Sequence, residues 1–352
     1  MKSKLLVFLL PFSLVFIVTT NASFDQVFKN IKSNFNNFPK VSNELSLSFP
    51  KDHGKHEDFQ IEWWYLTANL KDEFGNSKGL QWTLFRLALE ENTNSTGWEN
   101  SQIWMGHAAV TDNKSHFFSE KFARGGVGQA NVIADPFSAW IDDWKLQGDT
   151  WKKLTVSAHG DEFKYNLDLS SFGPIIKHGN SGFSLKSSNG HASAYYSQPS
   201  FQATGWIEIN GTHHYVTGTA WIDHEWSSQF LAKNISGWNW FSLNFTSGDK
   251  LMLFRVKEKP ETFFYSGTWI YSDGSHRQIE AKDIILQPKE TTLPEKSPQT
   301  VWNIKIKSLG VDISTNPINQ NAYMNTVFPY WEGPITSQGT HEGLGYLEIT
   351  GF

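Results

Sequence analysis

The densest group of residues able to do chemistry is a run near the middle of the chain, Trp221-Ile222-Asp223-His224-Glu225-Trp226. It places two carboxyl groups and an imidazole between tryptophans. Aromatic walls exclude water, and the loss of hydration raises the pKa of a carboxylic acid until it holds a proton near neutral pH. A histidine beside such an acid can hold or relay a proton. The run therefore predicts acid and base catalysis by Asp223, His224 and Glu225.

The spacing of these three residues limits how they can act together. In an extended strand, Asp223 and Glu225 share one face while His224 points to the other. A β-bulge would be needed to bring all three side chains together. The alternative is that the two acids only accept hydrogen bonds from backbone amides at a structural corner.

A second group of ionisable residues precedes an apolar strand. The group contains His53, His56, Glu57 and Asp58, and the strand begins Ile61-Glu62-Trp63-Trp64-Tyr65. Because an unpaired buried charge is costly, Glu62 must either face a cavity or form an ion pair with Arg86 or Arg255. These two arginines occupy equivalent strand positions in the two halves of the chain, which favours a structural role for both.

Aromatic residues make up 15% of the chain, with 16 Trp, 10 Tyr and 27 Phe. Aromatic side chains line pockets for apolar ligands, and tyrosine adds a hydroxyl that can orient a ligand or donate a proton. The expected ligand-binding residues are Glu62, Trp63, Trp64, Tyr65, His107, Tyr195, Tyr196, Trp238, Trp240 and Trp331. An ordinary core or rim position is the alternative for the tyrosines and for His107.

Other chemistries have little support in the sequence. The chain has no cysteine, which excludes disulfides, cysteine-ligated zinc and a thiol nucleophile. A formal net charge of −5 without a long basic run does not favour nucleic-acid binding. The run Gly75-Asn76-Ser77-Lys78-Gly79 matches the spacing of a nucleophile elbow, but it reads as a polar hairpin tip. We expect no metal, no cofactor, and neither a serine hydrolase nor a metallohydrolase.

The first residues are typical of a secretory signal peptide. Lys2 and Lys4 precede an apolar run over 5–18, and Thr20-Asn21-Ala22 offers a small-residue cleavage site. A membrane anchor is the alternative, but the run is shorter than the ~20 residues that a membrane-spanning helix needs. We predict a signal peptide over 1–22, an N-terminal extension over 23–43, and a periplasmic or secreted protein without a transmembrane anchor.

The remaining chain predicts an all-β fold with little helix, because short β-branched and aromatic runs alternate with Gly, Asn, Asp and Ser clusters. The order of these runs repeats. Trp63-Trp64-Tyr65-Leu66 leads to Thr83-Leu84-Phe85-Arg86, and Trp238-Asn239-Trp240-Phe241 leads to Met252-Leu253-Phe254-Arg255. A barrel that holds one small ligand needs ~8 strands. We predict two packed barrels, over 44–230 and 231–352, with one large sandwich as the alternative.

Several runs together carry a resemblance to a known family. They are His56-x5-Glu62-Trp63-Trp64-Tyr65, Ala194-Tyr195-Tyr196-Ser197, Trp221 to Ser227, Gly237 to Phe241, and the terminal Gly343 to Phe352. They resemble the AttH/CrtC lipocalin-like family, which contains carotenoid 1,2-hydratases and proteins labelled secreted hydrolases. The resemblance covers nearly all of residues 45–352. It implies two calycin-type β-domains with a ligand cavity in or between them, and it does not imply a single reaction.

These residues suit the reaction that the resemblance to hydratases implies. Adding water to an alkene needs a desolvated acid, an aromatic wall for the carbocation and a base for the water. Asp223 or Glu225 would be the acid, with His224 setting its protonation state. The rings that would stabilise the cation are those of Trp63, Trp64, Tyr65, Trp238 and Trp240. We expect the partner to be an apolar, unsaturated small molecule; the alternative function is a non-catalytic extracytoplasmic carrier of a lipophilic ligand.

Overall fold

The computed structural model of the chain describes residues 38–91, 95–229, 235–258, 262–289 and 297–351. The expected signal peptide over 1–22 lies outside these residues, and the extension over 23–43 is described only from residue 38. Within the described ranges, no helix has the length and apolar character needed to cross a bilayer. Regular structure is almost entirely β-strand, in two antiparallel sheets that curl into nearly closed barrels. The predicted all-β fold of tandem lipocalin-like barrels is confirmed.

The first sheet contains thirteen strands. They are β1 (Ile61–Asp72), β2 (Ser77–Ala88), β3 (Gln102–Thr111), β4 (His116–Arg124), β5 (Ala130–Ala134), β6 (Phe137–Ile141), β7 (Trp144–Thr150), β8 (Lys153–His159), β9 (Phe163–Ser171), β10 (Ile176–Lys177), β11 (Phe183–Leu185), β12 (Ala192–Ile209) and β13 (Thr212–Ser227). Their order is β4-β3-β2-β1-β13-β12-β9-β8-β7-β6-β5, and β10 and β11 also pair with β12. The sheet curls until Gly106 of β3 faces Ile141 of β6, where an added Cβ would lie 2.7 Å from the isoleucine side chain.

The second sheet contains ten strands. They are β14 (Ile235–Phe245), β15 (Lys250–Glu258), β16 (Thr262–Ile270), β17 (His276–Ile279), β18 (Ile284–Pro288), β19 (Trp302–Ile306), β20 (Val311–Pro317), β21 (Tyr323–Met324), β22 (Tyr330–Gly339) and β23 (Gly343–Ile349). Their order is β17-β16-β15-β14-β23-β22-β20-β19-β18, with β21 paired to β22. Four 3-10 helices occur in the described residues, at Lys51–His53, Gly97–Glu99, Ala281–Asp283 and Lys307–Leu309.

The interior of each barrel is filled by side chains from one face of most of its strands, because successive residues of a strand point to opposite faces. In the first barrel, Trp64, Trp82, Trp104 and Trp144 are all wholly buried in one apolar core. The second barrel has its own core, which includes Trp302. Much of the aromatic content of the sequence therefore stabilises the barrels by burial.

The outer faces of the two barrels pack against each other. They share a third buried group, which we call the interface cluster: Tyr65, Ile176, Tyr195, Trp221, Trp240, Met252, Phe254, Val256, Ile270 and Tyr346. Contact is close at Gly79 of β2, where an added Cβ would lie 2.5 Å from Pro334 and 2.6 Å from the Tyr346 hydroxyl. Glycine permits this approach because it has no Cβ.

Candidate functional site

Strand β13 carries polar side chains on both of its faces at residues 223–225. Asp223 pairs with Tyr65, His224 with Trp64, and Glu225 with Trp63, in uninterrupted register with β1. The bulge between β12 and β13 lies at residues 198–201, so it does not rotate these positions. The three residues expected to act together therefore divide. Asp223 and Glu225 face the interface cluster, and His224 faces the interior of the first barrel.

His224 belongs to a buried ionic group, which we call the barrel cluster: His56, Glu62, Arg86 and His224. The imidazoles of His224 and His56 lie 2.9 and 2.7 Å from Oε1 of Glu62. Arg86 donates from Nε to Oε2 of Glu62 at 2.8 Å. Of the two arginines expected as partners, Arg86 forms the pair because β1 and β2 place it directly opposite Glu62. Burial favours the neutral acid, but the Arg86 and His56 charges hold the pKa of Glu62 well below its usual range.

The barrel cluster extends to Asp52, which contacts both histidines. Nε2 of His56 lies 3.4 Å from Oδ1 of Asp52, and Nδ1 of His224 lies 3.1 Å from the Asp52 backbone carbonyl. Burial opposes a charge on His56, but Glu62 and Asp52 together raise its pKa. Trp226 stacks on His56 with ring centroids 3.6 Å apart. These contacts fix the orientation of each ring.

The barrel cluster has the ligand types of a metal site. One ligand atom from each of His56, Glu62 and His224 lies within 4.8 Å of the others. Two imidazoles and a carboxylate suit a divalent cation. However, Arg86 already balances the charge of Glu62, and both imidazoles lie within hydrogen-bond distance of its carboxylate. The group forms an ion-pair network, in which Nη1 of Arg86 has no hydrogen-bond partner among the described residues, and we propose that it has a structural role.

His53 is a second buried histidine at this end of the barrel. Its Nδ1 lies 2.7 Å from the Tyr196 hydroxyl, and its ring stacks on Trp151 at 3.7 Å. Burial, followed by the nearby His224, lowers the pKa of His53 to about 3. The imidazole is therefore neutral in the folded protein over the whole range in which an exposed histidine becomes charged.

This shift predicts a specific dependence of stability on pH. Below pH 6.5 the unfolded chain binds a proton at His53 and the folded chain does not, so stability falls as the pH drops from 6.5 towards 3. We expect His53→Gln to reduce the slope of the unfolding free energy against pH by up to about 1.4 kcal/mol per pH unit in this range. Urea unfolding at several pH values measures the slope. The exposed His276→Gln is the control, and equal slopes in the two variants would refute the assignment.

On the other face of β13, Asp223 accepts hydrogen bonds only from neutral groups. Tyr195 donates from its hydroxyl to Oδ2 at 2.8 Å, and the indole of Trp221 donates to Oδ1 at 2.7 Å. The Ser197 hydroxyl also donates to Oδ1. Burial raises the pKa of Asp223 to about 7 despite these bonds. Within the described ranges, no cation forms an ion pair with it. Asp223 is therefore an acid that holds a proton close to neutral pH.

The hydrogen bonds of Asp223 continue into the second barrel. Nε2 of His178 lies 2.6 Å from the Ser197 hydroxyl, and its Nδ1 lies 2.8 Å from the hydroxyl of Thr268 on β16. Burial holds the pKa of His178 well below its usual range, so the ring is neutral. His178 was not predicted as a site residue, because it lies in an irregular segment after β10 with no recognisable motif.

Glu225 has a different electrostatic environment from Asp223. Its Oε1 lies 2.9 Å from the buried Lys186 ammonium, and it accepts a hydrogen bond from Ser193. Lys186 lies over the rings of Tyr195 and Phe254, 4.3 and 4.5 Å from their centroids. Burial raises the pKa of Glu225, while Lys186 opposes that rise. Of the two acids on this face, only Asp223 thus lacks a cationic partner in the described part of the chain.

The second barrel adds two more buried acids to the same interface. Tyr65 donates from its hydroxyl to Oε1 of Glu332 at 2.5 Å, and Trp238 donates to Oε1 of Glu348 at 2.5 Å. Glu332 and Glu348 are cross-strand partners on β22 and β23. Burial raises the pKa of Glu348 to about 7 and that of Glu332 well above its usual range. Neither acid was among the predicted site residues, although Glu348 alternates with apolar residues as Glu62 does.

The expected ligand-binding residues occupy three environments. Those at the interface between the barrels are Trp63, Tyr65, His107, Tyr195, Trp238 and Trp240. Those that contact the barrel cluster or belong to it are Glu62, Trp64 and Tyr196. Trp331 instead lies wholly buried in the core of the second barrel, where its indole donates to the Gln320 carbonyl. The ten residues remain predictions as ligand contacts.

Two cavities open at the surface. One, of about 290 Å³, is lined by residues that include Lys55, Gln102 and Trp104 at one end of the first barrel. The other, of about 280 Å³, lies against Leu185, Phe264 and Ser266. Phe264 also packs on the interface cluster, so the second cavity adjoins it. Asp223 lines neither cavity.

Comparison with known proteins establishes the family. The model of the family described as AttH-like matches residues 40–352. The chain belongs to the AttH-like family. The solved structure of NE1406 from Nitrosomonas europaea, assigned as AttH, shares 29% identity with this AttH-like chain. It covers 89% of this chain and 99% of its own, with a TM-score of 0.79. The resemblance seen in the sequence is thus confirmed.

A more distant structure shares the fold of this AttH-like protein. Kievitone hydratase from Nectria haematococca is 14% identical, covers 90% of this chain and 94% of its own, and has a TM-score of 0.65. None of the curated proteins matches the chain. The family is therefore established by the family model, and the tandem-barrel fold is shared with the two solved structures.

Proposed function

We propose that the protein binds an apolar, unsaturated small molecule at the interface cluster, and that Asp223 protonates an alkene carbon of that ligand. Hydration or isomerisation follows from that step. One observation carries the proposal: a buried acid with a pKa of about 7 is bonded only to neutral donors and lies within an aromatic cluster. A general acid is most effective when its pKa is close to the working pH.

The aromatic rings near Asp223 suit the cation that this step creates. Trp240 lies edge-on to Tyr65 and to Trp221, with centroids 5.1 and 6.5 Å apart. Trp240 also donates from its indole to the Tyr195 hydroxyl at 3.1 Å, which links it to the acid. A well-placed ring stabilises a cation by about 0.5–2 kcal/mol.

Hydration returns Asp223 to its starting protonation state. The acid gives its proton to carbon and becomes a carboxylate. Water then attacks the cation, and the carboxylate takes one proton from that water, so an alcohol forms and the acid is restored. In isomerisation, the carboxylate instead removes a proton from the neighbouring carbon. Neither sequence consumes a cofactor.

Two further observations support binding at this place. The cavity of about 280 Å³ lies against Ser266, whose buried hydroxyl has no hydrogen-bond partner. Ser266 is the cross-strand neighbour of Phe254 in the interface cluster, so this cavity is the proposed entrance. Kievitone hydratase, a hydratase by name, has the same fold, which agrees with water addition at the level of the fold.

Isotope incorporation tests the proposal. The mature protein is incubated with a panel of acyclic isoprenoid alkenes in H₂¹⁸O or in D₂O, and the products are analysed by mass spectrometry. We expect ¹⁸O in the product for hydration, or deuterium without ¹⁸O for isomerisation. If neither label enters any compound that binds, catalysis by Asp223 is refuted. A serum-albumin control excludes spontaneous exchange.

A carrier is the second candidate function. The complete hydrogen bonding of Asp223, which is 3% exposed, favours it, since a satisfied acid is a poor contact for a ligand. Native mass spectrometry of protein from its own host would then find a bound lipophile that is never transformed.

We further propose export after cleavage at residue 22, and domains over 44–230 and 231–352. Recovery of the chain from the exported fraction with residue 23 first tests the cleavage.

A further inference from the structure

A row of hydrogen-bonding side chains leads from the protein surface to the interface acids. It begins at Glu120 of β4, whose side chain is 17% exposed and accepts hydrogen bonds from the backbone N–H of Val327. Oε1 of Glu120 lies 3.0 Å from Nε2 of the buried His107. Nδ1 of His107 lies 2.8 Å from the Tyr330 hydroxyl. The row thus crosses from the first barrel to the second in two hydrogen bonds.

The inner end of the row is the buried acid Glu332. Tyr330 and Glu332 are two residues apart on β22 and share one face of the strand. Burial and the nearby carboxyl groups of Glu332 and Glu348 raise the pKa of Tyr330. Oε1 of Glu332 accepts a hydrogen bond from Tyr65. Its Oε2 is buried and has no hydrogen-bond partner among the described residues, so this oxygen is the one that can accept a proton from the neighbouring phenol.

Every member of this row can both give and accept a proton. Carboxyl, imidazole and phenol groups each act as donor and as acceptor. Burial lowers the pKa of His107, against the effect of Glu120, so its imidazole is neutral. A neutral imidazole can accept a proton at Nε2 and release one from Nδ1.

We propose that Glu120, His107 and Tyr330 form a proton relay that resupplies Glu332 from solvent. Protonated Glu120 gives a proton to Nε2 of His107, and Nδ1 releases its proton to the Tyr330 oxygen as the phenol proton passes to the Glu332 carboxylate. Glu120 takes a new proton from solvent, and rotation of the His107 ring returns the starting tautomer. No charge remains in the interior after the cycle. The proposal is independent of the proposed function, in which Asp223 recovers its own proton, because the relay exchanges protons between the buried Glu332 and solvent without a ligand.

Infrared hydrogen–deuterium exchange tests the relay without any substrate. The carbonyl band of the protonated Glu332 side chain is identified by its loss in Glu332→Gln. Protein is then transferred into D₂O at neutral pH, and the shift of that band is followed with time. We expect exchange to slow at least tenfold in Tyr330→Phe, which removes the hydroxyl. His107→Gln should slow it similarly, because an amide keeps hydrogen bonds but does not relay protons.

The controls separate the relay from a change in global unfolding. Tyr165→Phe removes another buried hydroxyl, which donates to the Gln81 carbonyl at 2.9 Å, and should leave the exchange rate unchanged. Glu120→Gln alters only the partly exposed end and should slow exchange in a chain that still folds. The proposal is overturned by unchanged exchange in the relay variants, by equal slowing in Tyr165→Phe, or by absence of the Glu332 band. Normal relay behaviour without isotope incorporation would refute the proposed function alone.

Discussion

Asp223→Asn is expected to reduce turnover of the apolar ligand by about 10²–10⁴-fold while its dissociation constant stays unchanged. Asparagine keeps the shape of the side chain, its oxygen can still accept from Trp221, and its amide nitrogen can donate to the Tyr195 hydroxyl, but it has no acidic proton to give. Initial rates measure turnover, and quenching of tryptophan fluorescence measures binding, since Trp221 and Trp240 lie beside the proposed ligand.

The matched control is Glu225→Gln on the same face of β13. Because Lys186 lies 2.9 Å from Glu225, this acid has a cationic partner and should matter less for proton donation. We expect the loss of turnover in Glu225→Gln to be smaller than in Asp223→Asn. Wild-type rates in both variants would contradict an enzymatic role for this cluster.

The same acid predicts the pH dependence of the reaction. The active form of Asp223 is protonated, and its pKa is raised to about 7. Turnover should therefore be constant below that pH and fall about tenfold for each pH unit above it. A rate that rises through neutral pH would identify a base, not an acid, as the limiting group.

Arg86→Met is expected to lower the free energy of unfolding by about 3–5 kcal/mol, because it leaves the Glu62 carboxylate buried without its main counter-charge. Both side chains of this pair are wholly buried. Urea unfolding followed by fluorescence measures the loss. Adding Glu62→Gln to the same chain should recover part of it, since the unpaired charge is then removed as well.

The duplicated fold provides the control for this prediction. Arg255 occupies the position of Arg86 in the second sheet, but its cross-strand partner is the neutral Asn239, whose Oδ1 accepts from Nη1 at 3.0 Å. Its guanidinium also lies 3.7 Å from the ring centroid of Phe263. Arg255→Met therefore leaves no buried carboxylate and should cost less than half as much. An equal loss in both variants would contradict the role assigned to the Glu62 charge.

Local periodicity explains what the sequence could predict. The opposite orientations of His224 and of its two acidic neighbours follow from the two-residue repeat of a strand. The structure has this arrangement, in register with β1. An ion pair of Glu62 with Arg86 was one of the possibilities that the sequence offered, and it forms because β1 and β2 are one hairpin in which the two residues are directly opposite. Both predictions needed only short-range geometry.

Long-range packing explains what the sequence could not predict. Tyr65 and Glu332 are 267 residues apart in the chain, and they meet only because the outer faces of two barrels pack together. Within Tyr330-Trp331-Glu332, the tryptophan was the predicted ligand contact. Alternation instead places Trp331 in the core of the second barrel and Glu332 at the interface. A single sequence does not say which face of a strand is covered by another domain.

The proposed acid requires that the Asp223 carboxyl group holds a proton near neutral pH, and an NMR titration of that group tests this directly. Protein labelled with ¹³C at the aspartate carboxyl carbons is titrated by NMR, and the Asp223 signal is assigned by its absence in Asp223→Asn. We expect a transition near pH 7, with the acid largely protonated below it. A transition near pH 4, the ordinary range of an aspartate, would leave an ionised carboxylate at neutral pH and contradict the proposed acid.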